Sequence, residues 1–443
     1  MQNDKTTLRD LSIFPADGSD GVFVLLDRTT TYIGRDVLRR HIQHPPDTHE
    51  RLVAVQQCVR FLAAHRDKWP HLVLNGTIVM LDKFFEAADS VSPPPAGVAL
   101  ILSTFFQRLL HQREHIFTQF SLSHVSDFLK GCIQMTTLAS LPDVPELLQT
   151  ELKAISKELK HPLVAEVTAV TAQTKYTQLA VLNYNVRREM KNMILRLMNS
   201  YARLDAWQAM GKATIEHGWV FPELLPASAV TFDVQGIYHP LLHSPVAYDT
   251  EFSAGRNFML LTGANMSGKT TYMRALGVGA LLAHLGMGVP ASRMRISFLQ
   301  GIITNMQVED NINKGESYFF AEVQRMKQTA GKLLQQEPHL VLMDELFKGT
   351  NVHDAYECTR AVVDGLLHQR SHLMILSTHL YEVAQVFSGN EDIQFAYFLT
   401  DLSDSGGYKF TYRLLPDISN DRIGYLILQK EGVIELLQKG NNT

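Results

Sequence analysis

A glycine-rich turn between an apolar run and a helical pattern restricts this chain to a small group of folds. Residues 263–270 read GANMSGKT and match G-x-x-x-x-G-K-[ST], the pattern of a loop that cradles nucleotide phosphates. Residues 258–261 are a short apolar run that predicts a buried parallel strand, and residues 271–285 follow a helical pattern. The strand, the loop and the helix therefore occur in the order that the motif requires.

The chemistry of this loop depends on its backbone and on two side chains. Glycines let backbone N–H groups turn inward onto phosphate oxygens, and the helix N-terminus adds a partial positive charge. We expect Lys269 to reach the β- and γ-phosphates and Thr270 to offer its hydroxyl to Mg²⁺. The alternative, a glycine-rich turn with a lysine there by chance, is disfavoured by the flanking strand and helix. The residues predicted to contact the nucleotide are Gly263, Ala264, Asn265, Met266, Ser267, Gly268, Lys269, Thr270 and Thr271.

A second apolar run, residues 339–343, ends in the carboxylates Asp344 and Glu345, which is the pattern of a Walker B strand. Asp344 is predicted to hold Mg²⁺, directly or through water, and Glu345 to orient and deprotonate the attacking water. An apolar run that ends in Asp-Glu is common and would be weak evidence by itself. Together with the upstream phosphate loop, it predicts that the chain binds ATP, or a close relative of ATP, with Mg²⁺.

The composition limits the possible partners and compartments. With 45% hydrophobic and 19% charged residues, the chain is typical of a soluble globular protein, and 443 residues predict two to three domains. A net charge of −4 predicts no general attraction to polyanions, so any nucleic-acid contact must be local. Three cysteines without ligand spacing, and an N-terminus without an apolar signal region, predict a cytoplasmic protein without a membrane span.

Periodicity divides the chain into a helical half and an α/β half. Residues 1–21 are polar and predict a tail or a short edge element. Residues 22–214 predict an all-α domain, and residues 215–443 alternate strands with helices. The second half predicts an ABC-type P-loop domain with a mostly parallel sheet flanked by helices. Residues 181–210 are the clearest helix of the first half. Its seam consists of Met190, Ile194, Leu197, Tyr201 and Leu204, which predicts a bundle core.

Two further polar residues are candidates for the site. Ser317 lies between the two nucleotide motifs, at the start of a predicted helix, where a simple N-cap is enough to explain it. His379 follows the apolar run 373–376 and Ser377-Thr378 at the predicted carboxyl edge of the sheet. A histidine in that place can sense the γ-phosphate through a hydrogen bond, although a lone histidine is more often structural.

The order of these motifs resembles the MutS family of DNA mismatch-repair ATPases. The resemblance rests on residues 262–274, on residues 342–350 and on Ser377-Thr378-His379. His239-Pro240 also lies where the family has such a pair. In the first half, residues 27–35 resemble the start of the family's helical core domain, and residues 204–206 resemble the end of its lever. The resemblance covers nearly the whole chain, and its ATPase motifs are highly specific.

The resemblance implies a composite ATPase made by two copies of the chain. In the family, a serine-containing loop reaches across the dimer to the partner's γ-phosphate, and Ser317 is the matching position. Residues 423–437 are similar to the family's C-terminal helical segment, which supports dimerisation. An aromatic residue before the phosphate-loop strand commonly stacks on adenine in the family. Val246 and Tyr248 are both candidates for this adenine contact.

Some features of the sequence depart from the family. The chain begins at the core domain, so we expect the mismatch-reading and connector domains to be missing, and no Lys/Arg-rich clamp is evident in the helical half. Asp354-Ala355 stands where the family has Asp-Gly, which bears on fine geometry rather than on chemistry. Direct recognition of a mismatch by a wedged aromatic side chain is therefore not expected.

These features predict an ATP-hydrolysing, MutS-like homodimer whose nucleotide state moves helical levers around duplex or branched DNA. Contacts to the DNA backbone rather than to base sequence are expected, together with possible repair or recombination proteins as partners. The competing class is an ATP-driven switch or scaffold that acts on a protein partner without DNA. An ABC ATPase of the chromosome-maintenance kind is disfavoured because no LSGGQ-like loop or long coiled coil is present. An inactive nucleotide-binding protein is disfavoured because Lys269, Asp344 and Glu345 are all in place.

Overall fold

A computed structural model describes residues 3–14, 21–86, 112–171, 173–306, 318–402 and 408–419, with a few residues between 428 and 437. The chain divides into two compact units. The first unit comprises residues 1–25, 42–53 and 216–443, and the second comprises residues 26–41 and 54–215.

The second unit is helical throughout its described residues. The first half of the chain contains helices of both units, and α1 and most of α2 belong to the first unit. In chain order, these helices are α1 Lys5–Asp10, α2 Val22–Leu26, α3 Tyr32–Gln43, α4 His49–Ala64, α5 Asn75–Glu86, α6 Gln112–Thr136, α7 Glu146–Glu158, α8 Leu163–Thr168, α9 Tyr176–Asn185 and α10 Lys191–Glu216. Short 3-10 turns occupy Arg66–Lys68 and Thr137–Ser140. The seam residues predicted from the heptad pattern are all buried, so their assignment to a bundle core is confirmed.

The long helix predicted over residues 181–210 contains a π-helical turn, Val186–Met190, between α9 and α10. Arg187 in this turn is buried. It donates to the carbonyl of Phe84 at the end of α5 and to Asn183 Oδ1 at 2.8 Å. Burial lowers the pKa of Arg187 to about 10. The wider turn thus presents a buried cation to the last carbonyls of a neighbouring helix, where the helix dipole favours positive charge.

Asp205 on α10 caps helix α3 from a distance of more than 170 residues along the chain. Its carboxylate is fully buried and accepts hydrogen bonds from the N–H groups of Thr30 and Thr31, both at 3.0 Å, and from Thr31 Oγ1 at 2.7 Å. These donors are otherwise orphaned at a helix N-terminus, so a carboxylate there satisfies them and complements the helix dipole.

The first unit contains an α/β core. Its strands are β1 Glu223–Leu225, β2 Phe232–Ile237, β3 Tyr248–Phe252, β4 Phe258–Thr262, β5 Arg293–Ser297, β6 Gly301–Asn305, β7 His339–Asp344, β8 Leu373–Ser377, β9 Ile393–Leu402 and β10 Tyr408–Pro416. Its longer helices are α11 Lys269–Leu285, α12 Tyr318–Leu333 and α13 Val352–Leu366, followed by the short α14 Tyr381–Val386. The predicted mixture of α and β structure is confirmed.

Two sheets organise this unit. Six strands lie in the order β10-β9-β4-β8-β7-β6, and every neighbouring pair is parallel except β9 with β10. Strands β4, β6, β7 and β8 are buried along their whole length, as expected for parallel strands covered on both faces. A smaller sheet has the order β1-β5-β2-β3. In the larger sheet, β4 and β7 lie on either side of β8, so their carboxyl ends meet at one edge.

The N-terminal residues differ from their prediction as a tail. Residues 5–10 form helix α1, whose Thr7, Leu8 and Asp10 are buried. Thr304 Oγ1 on strand β6 donates to Asp10 Oδ2 at 2.7 Å. The interpretation as a tail was wrong for these residues because the groups that order them lie almost three hundred residues further along the chain.

Candidate active site

The loop between β4 and α11 adopts backbone angles that require glycine. Gly263 and Gly268 have φ values of +130° and +115°, in a region that side-chain-bearing residues avoid. A Cβ atom on Gly263 would also lie 3.3 Å from the backbone nitrogen of Phe398. Met266, at the tip of the loop, is left-handed as well, with a φ of +67°. The two motif glycines therefore let the chain turn directly into the N-terminus of α11.

Lys269 is buried beneath this loop, although it carries a charged group. Its Nζ donates to the carbonyls of Gly263 at 2.8 Å and Ala264 at 2.9 Å, and it lies 3.4 Å from Glu345 Oε1. Burial lowers the pKa of Lys269, and the neighbouring carboxylates offset this only in part. Ser267 Oγ is also buried, and it has no hydrogen-bond partner among the described residues. A hydroxyl and an ammonium group at a helix N-terminus suit the oxygens of a bound phosphate.

Asp344, the last residue of β7, is held by two hydroxyl groups. Thr270 Oγ1 donates to its Oδ2 at 2.6 Å, and Ser377 Oγ, at the end of β8, donates to its Oδ1. Asp344 is 9% exposed, so the carboxylate is oriented and largely shielded. The described part of the chain contains no group of three side chains suited to hold a metal. Mg²⁺ commonly binds to one or two protein ligands plus phosphate oxygens and water, so the Thr270–Asp344 pair fits this ion.

Glu345 follows at the edge of the sheet in a left-handed conformation, with a φ of +51°. Its N–H donates to the carbonyl of Ser377 at 3.0 Å, and its carboxylate lies 3.0 Å from Lys348 Nζ. Burial by itself raises the pKa of Glu345. The positive charges of Lys269 and Lys348 outweigh burial, so the pKa of Glu345 lies below its ordinary value. The carboxylate is therefore ionised at neutral pH and can accept a proton.

These groups border one cavity of about 620 Å³, a size common for small-molecule sites. The lining includes the charged and hydroxyl side chains Lys269, Thr270, Asp344 and Glu345. It also includes the apolar or aromatic side chains Leu242, Val246, Tyr248, Met266 and Tyr412. A cavity with both kinds of group suits the phosphates and the base of a nucleoside triphosphate.

Residues 259–438 match the family model for MutS domain V. This match contains the phosphate loop, both carboxylates and His379. The chain belongs to the MutS family. The resemblance read from the motifs is thereby confirmed.

Curated MutS relatives agree with this assignment. The chain is 25% identical over 289 residues to the DNA mismatch repair protein MutS of Halalkalibacterium halodurans, a match that covers 63% of the chain and 32% of that protein. The MutS of Granulibacter bethesdensis is 27% identical over 270 residues, covering 57% and 28%. The DNA mismatch repair protein MutS 1 of Halobacterium salinarum is 31% identical over 185 residues, covering 41% and 21%. These matches span about a third or less of the length of each relative.

The predicted residues of this domain V fall into three groups. The phosphate loop, Asp344 and Glu345 lie together around the cavity. His379 lies beside them, with its Nδ1 3.8 Å from Glu345 Oε2 and its side chain 49% exposed. Ser317, and most of residues 423–437, lie outside the described residues. Their predicted roles at a dimer interface therefore remain predictions.

Val246 and Tyr248, the two candidates for the adenine contact, both line the cavity. The Tyr248 ring is 9% exposed and packs edge-on against Tyr272 and Phe398, with ring centroids 5.2 and 5.8 Å apart. Its faces are thus largely committed to the interior of the domain. Val246 is 39% exposed and offers apolar surface to the cavity.

Tyr412 is a cavity residue that sequence reasoning missed. It lies at an irregularity in the β9–β10 pairing, has a left-handed φ of +55° and is 45% exposed. A Cβ atom on Gly268 would lie 3.4 Å from Tyr412 Cδ1, so the ring lies beside the phosphate loop. No motif near Tyr412 in the sequence predicts a contact with a ligand. The irregular pairing of β9 with β10 places its ring beside the phosphate loop.

No helix among the described residues is both long and apolar enough to cross a membrane. Most of α11 is buried between its neighbours in the first unit.

Proposed function

We propose that this MutS-family chain is a Mg²⁺-dependent ATPase and that the cavity between the phosphate loop and Tyr412 is its active site. The observation that carries the proposal is the convergence of four side chains from two distant motifs. Thr270 lies 2.6 Å from Asp344, and Lys269 lies 3.4 Å from Glu345. A lysine, a hydroxyl and two carboxylates at one cavity are the parts that ATP hydrolysis requires.

Each side chain has a distinct role in this proposal. Lys269 and the N-terminus of α11 bind the β- and γ-phosphates, while Thr270 and Asp344 would hold Mg²⁺, which would neutralise charge on the phosphates. Glu345 orients a water molecule for attack on the γ-phosphate and accepts its proton on a carboxylate oxygen. His379 lies beside Glu345, from where it donates a hydrogen bond to the γ-phosphate.

We assign the base contacts to Tyr412 together with Val246. Tyr412 exposes its ring to the cavity, whereas Tyr248 has little free face because it packs against Tyr272 and Phe398. Stacking of an aromatic ring on a base is worth about 1–3 kcal/mol. Val246, which also lines the cavity, supplies apolar contact.

Binding and hydrolysis are measured separately in the test of this function. The purified chain is expected to bind ATP in equilibrium dialysis and to release phosphate only when Mg²⁺ is present. A Lys269→Ala variant should lose nucleotide affinity, whereas Glu345→Gln should bind ATP and fail to hydrolyse it. Absence of ATP binding by the parent chain in the presence of Mg²⁺ would overturn the proposal.

The proposed active enzyme is a homodimer in which Ser317 of each chain completes the other chain's site. The support is the resemblance of the Ser317 segment to the trans-acting loop of the family. Mixing two inactive variants tests this arrangement, because Glu345→Gln and Ser317→Ala affect different halves of a shared site. A mixed dimer regains one intact site only if Ser317 acts in trans. If mixing restores no activity although mixed dimers form, Ser317 does not act in trans.

We further propose that nucleotide state moves the helical second unit on duplex or branched DNA. The support is the similarity of the chain to DNA mismatch repair proteins. Because the net charge is −4, binding depends on local basic groups and weakens with salt. Gel-shift titrations of duplex, mismatched and branched DNA, with and without ATP at low salt, test this. No binding to any of them favours the alternative, an ATP-driven scaffold for a protein partner.

A further inference from the structure

The N-terminal helix α1 is attached to the ATPase core through an ion pair between the buried Asp10 and the partly exposed Arg325. Asp10 is fully buried, and its Oδ2 accepts hydrogen bonds from Arg325 at 2.9 Å and from Thr304 Oγ1 at 2.7 Å. Arg325, on α12, also donates to the carbonyl of Thr304 at 2.6 Å. Burying the Asp10 carboxylate is costly, so the pair is weak evidence of a gain in stability. The pair does fix one residue of α12 against α1 and strand β6.

One turn before Arg325, the same helix holds the loop that follows the proposed general base. Glu322 is 7% exposed, and its carboxylate accepts hydrogen bonds from the N–H groups of Lys348 at 3.3 Å and Gly349 at 3.2 Å. Burial raises the pKa of Glu322, against the opposing effect of these N–H groups. Residues three apart on a helix are neighbours, so an anchor at Arg325 also fixes Glu322.

The loop that Glu322 holds has a strained backbone. Glu345 and Phe347 have φ values of +51° and +61°, in the left-handed region. Such conformations cost about 1–3 kcal/mol each and persist only where the surroundings determine them. The loop lies directly against α12, since a Cβ atom on Gly349 would lie 2.5 Å from Tyr318 Cδ1 and 2.8 Å from Phe319 N. The conformation of Glu345 therefore depends on where α12 begins and how it is held.

The anchor and the catalytic carboxylates border the same small cavity. Its lining includes Asn305, Glu322, Arg325, Asp344 and Glu345. Arg325, Glu322 and the two Walker B carboxylates therefore all face the same cavity.

We propose that Asp10 and Arg325 are positioning residues for ATP hydrolysis, acting through Glu322 on the loop that carries Glu345. This inference rests on the proposed function of Glu345 as the general base. In this proposal, α1 contributes to ATP hydrolysis through the contact of Asp10 with Arg325. Loss of the pair should reduce turnover of bound ATP while leaving the phosphate loop, and thus nucleotide affinity, intact.

The experiment compares two ion pairs that join the same two helices. Arg325→Gln removes the Asp10–Arg325 pair. Lys332→Gln removes the exposed pair of Lys332 with Asp4, the N-cap residue of α1, in which Nζ and Oδ2 are 3.3 Å apart. In the full chain, Arg325→Gln is expected to lower kcat by roughly tenfold or more, because small displacements of catalytic groups have effects of this size. Its KM for ATP and its affinity for ADP should stay within about twofold of the parent. Lys332→Gln should match the parent in all three.

Further variants distinguish a loss of positioning from a folding defect. They also show whether a negative result refutes the positioning role or the proposed ATPase function. Arg325→Lys keeps the charge and one donor, so it should recover part of kcat; it also carries the test if Arg325→Gln does not fold. Thermal unfolding of every variant identifies a folding defect. An unchanged kcat in folded Arg325→Gln, or a loss confined to KM, overturns the positioning role if Glu345→Gln is inactive. A parent without ATPase activity, or an active Glu345→Gln variant, would instead refute the function on which the inference rests.

Discussion

Thr270 Oγ1 donates a 2.6 Å hydrogen bond to Asp344 Oδ2, joining the phosphate loop to the end of a strand 74 residues later in the chain. Hydroxyl and carboxylate oxygens are ligands that Mg²⁺ favours. The bond means that the two proposed metal ligands are already adjacent. We therefore expect Asp344→Asn to raise the Mg²⁺ concentration needed for half-maximal phosphate release by at least about tenfold, because the amide brings no charge to the ion.

The control for this prediction is Ser377→Ala, which removes the other hydroxyl that touches Asp344 but no proposed ligand. It should change the Mg²⁺ requirement much less than Asp344→Asn does. Titration of phosphate release with Mg²⁺ at saturating ATP measures both variants. Equal Mg²⁺ requirements in Asp344→Asn and the parent would contradict the proposed metal site.

Replacement of Glu345 tests the general base. Glu345→Gln keeps the size of the side chain and removes the proton acceptor, so phosphate release should fall by about 10²–10⁴-fold. ATP affinity should remain, because the phosphates are bound by Lys269 and the loop. Single-turnover phosphate release and equilibrium ATP binding measure the two effects. Glu337→Gln, at an exposed carboxylate before β7, is the matched control and should behave as the parent does.

The aromatic wall of the cavity yields a prediction for substrate affinity. Tyr412→Ala should raise the KM for ATP by roughly tenfold, because one face of base stacking is lost. Tyr412→Phe keeps the ring and should differ little from the parent. Neither variant should change kcat much, since Tyr412 is not among the groups around Glu345. Steady-state ATPase measurements test these expectations. An unaltered KM in Tyr412→Ala would show that Tyr412 does not contribute to binding of the base.

Sequence reasoning identified the phosphate loop and the Asp344–Glu345 pair because each motif is contiguous and lies where a strand ends. Parallel strands bring such ends together, so Lys269 and Glu345 could be expected to meet. The burial of the five seam residues could be predicted in the same way, since helical periodicity is local. These predictions share one property: the information lies within a few residues along the chain.

The failures have the opposite cause. Asp10 was assigned to a tail because its partners Thr304 and Arg325 are 294 and 315 residues away. Tyr412 was overlooked because a shift of register between Phe410 and Arg413 determines where its ring lies. Neither relationship has a pattern in the sequence, because both depend on tertiary packing and on the irregular pairing of two strands.

Because Gly34 lies close to Asp205, we expect the stability of the helical unit to fall when one methyl group is added at Gly34. A Cβ atom on Gly34 would lie 2.2 Å from Asp205 Oδ2, which is the oxygen that caps α3. Gly34→Ala must displace this buried carboxylate from its donors, so we expect a loss of about 3 kcal/mol in the free energy of unfolding. Urea unfolding monitored by circular dichroism measures it.

Gly76 provides the matched control for this substitution within the same unit. It also lies in a helix, α5, but a Cβ atom there would meet nothing within 4 Å. Gly76→Ala should therefore be neutral or stabilising by up to about 1 kcal/mol, since alanine favours helix and restricts the unfolded chain. Similar unfolding curves for the two variants would contradict the steric argument for Gly34.

His284 on α11 gives the α/β unit a dependence on pH. The imidazole is fully buried. Its Nδ1 donates to the carbonyl of Ala280, and its Nε2 accepts a hydrogen bond from the N–H of Leu299, both at 2.8 Å. This pair of bonds requires the neutral ring, and burial lowers the pKa of His284 to about 4. In the unfolded chain, the pKa of His284 has its ordinary value of 6.5. Between these two pKa values, the unfolded chain therefore binds a proton at His284 that the folded chain does not.

Because the pKa of His284 is depressed in the folded state, its contribution to stability is complete above pH 6.5 and is lost as the pH falls toward 4. The loss is on the order of 3 kcal/mol across this window. His284→Gln should unfold at lower urea concentration at pH 7, yet its stability should change less between pH 7 and pH 5. His239, whose pKa is also about 4, adds a similar slope to both proteins, so only the difference between them isolates His284. A variant as steep as the parent would show that folding does not lower the pKa of His284.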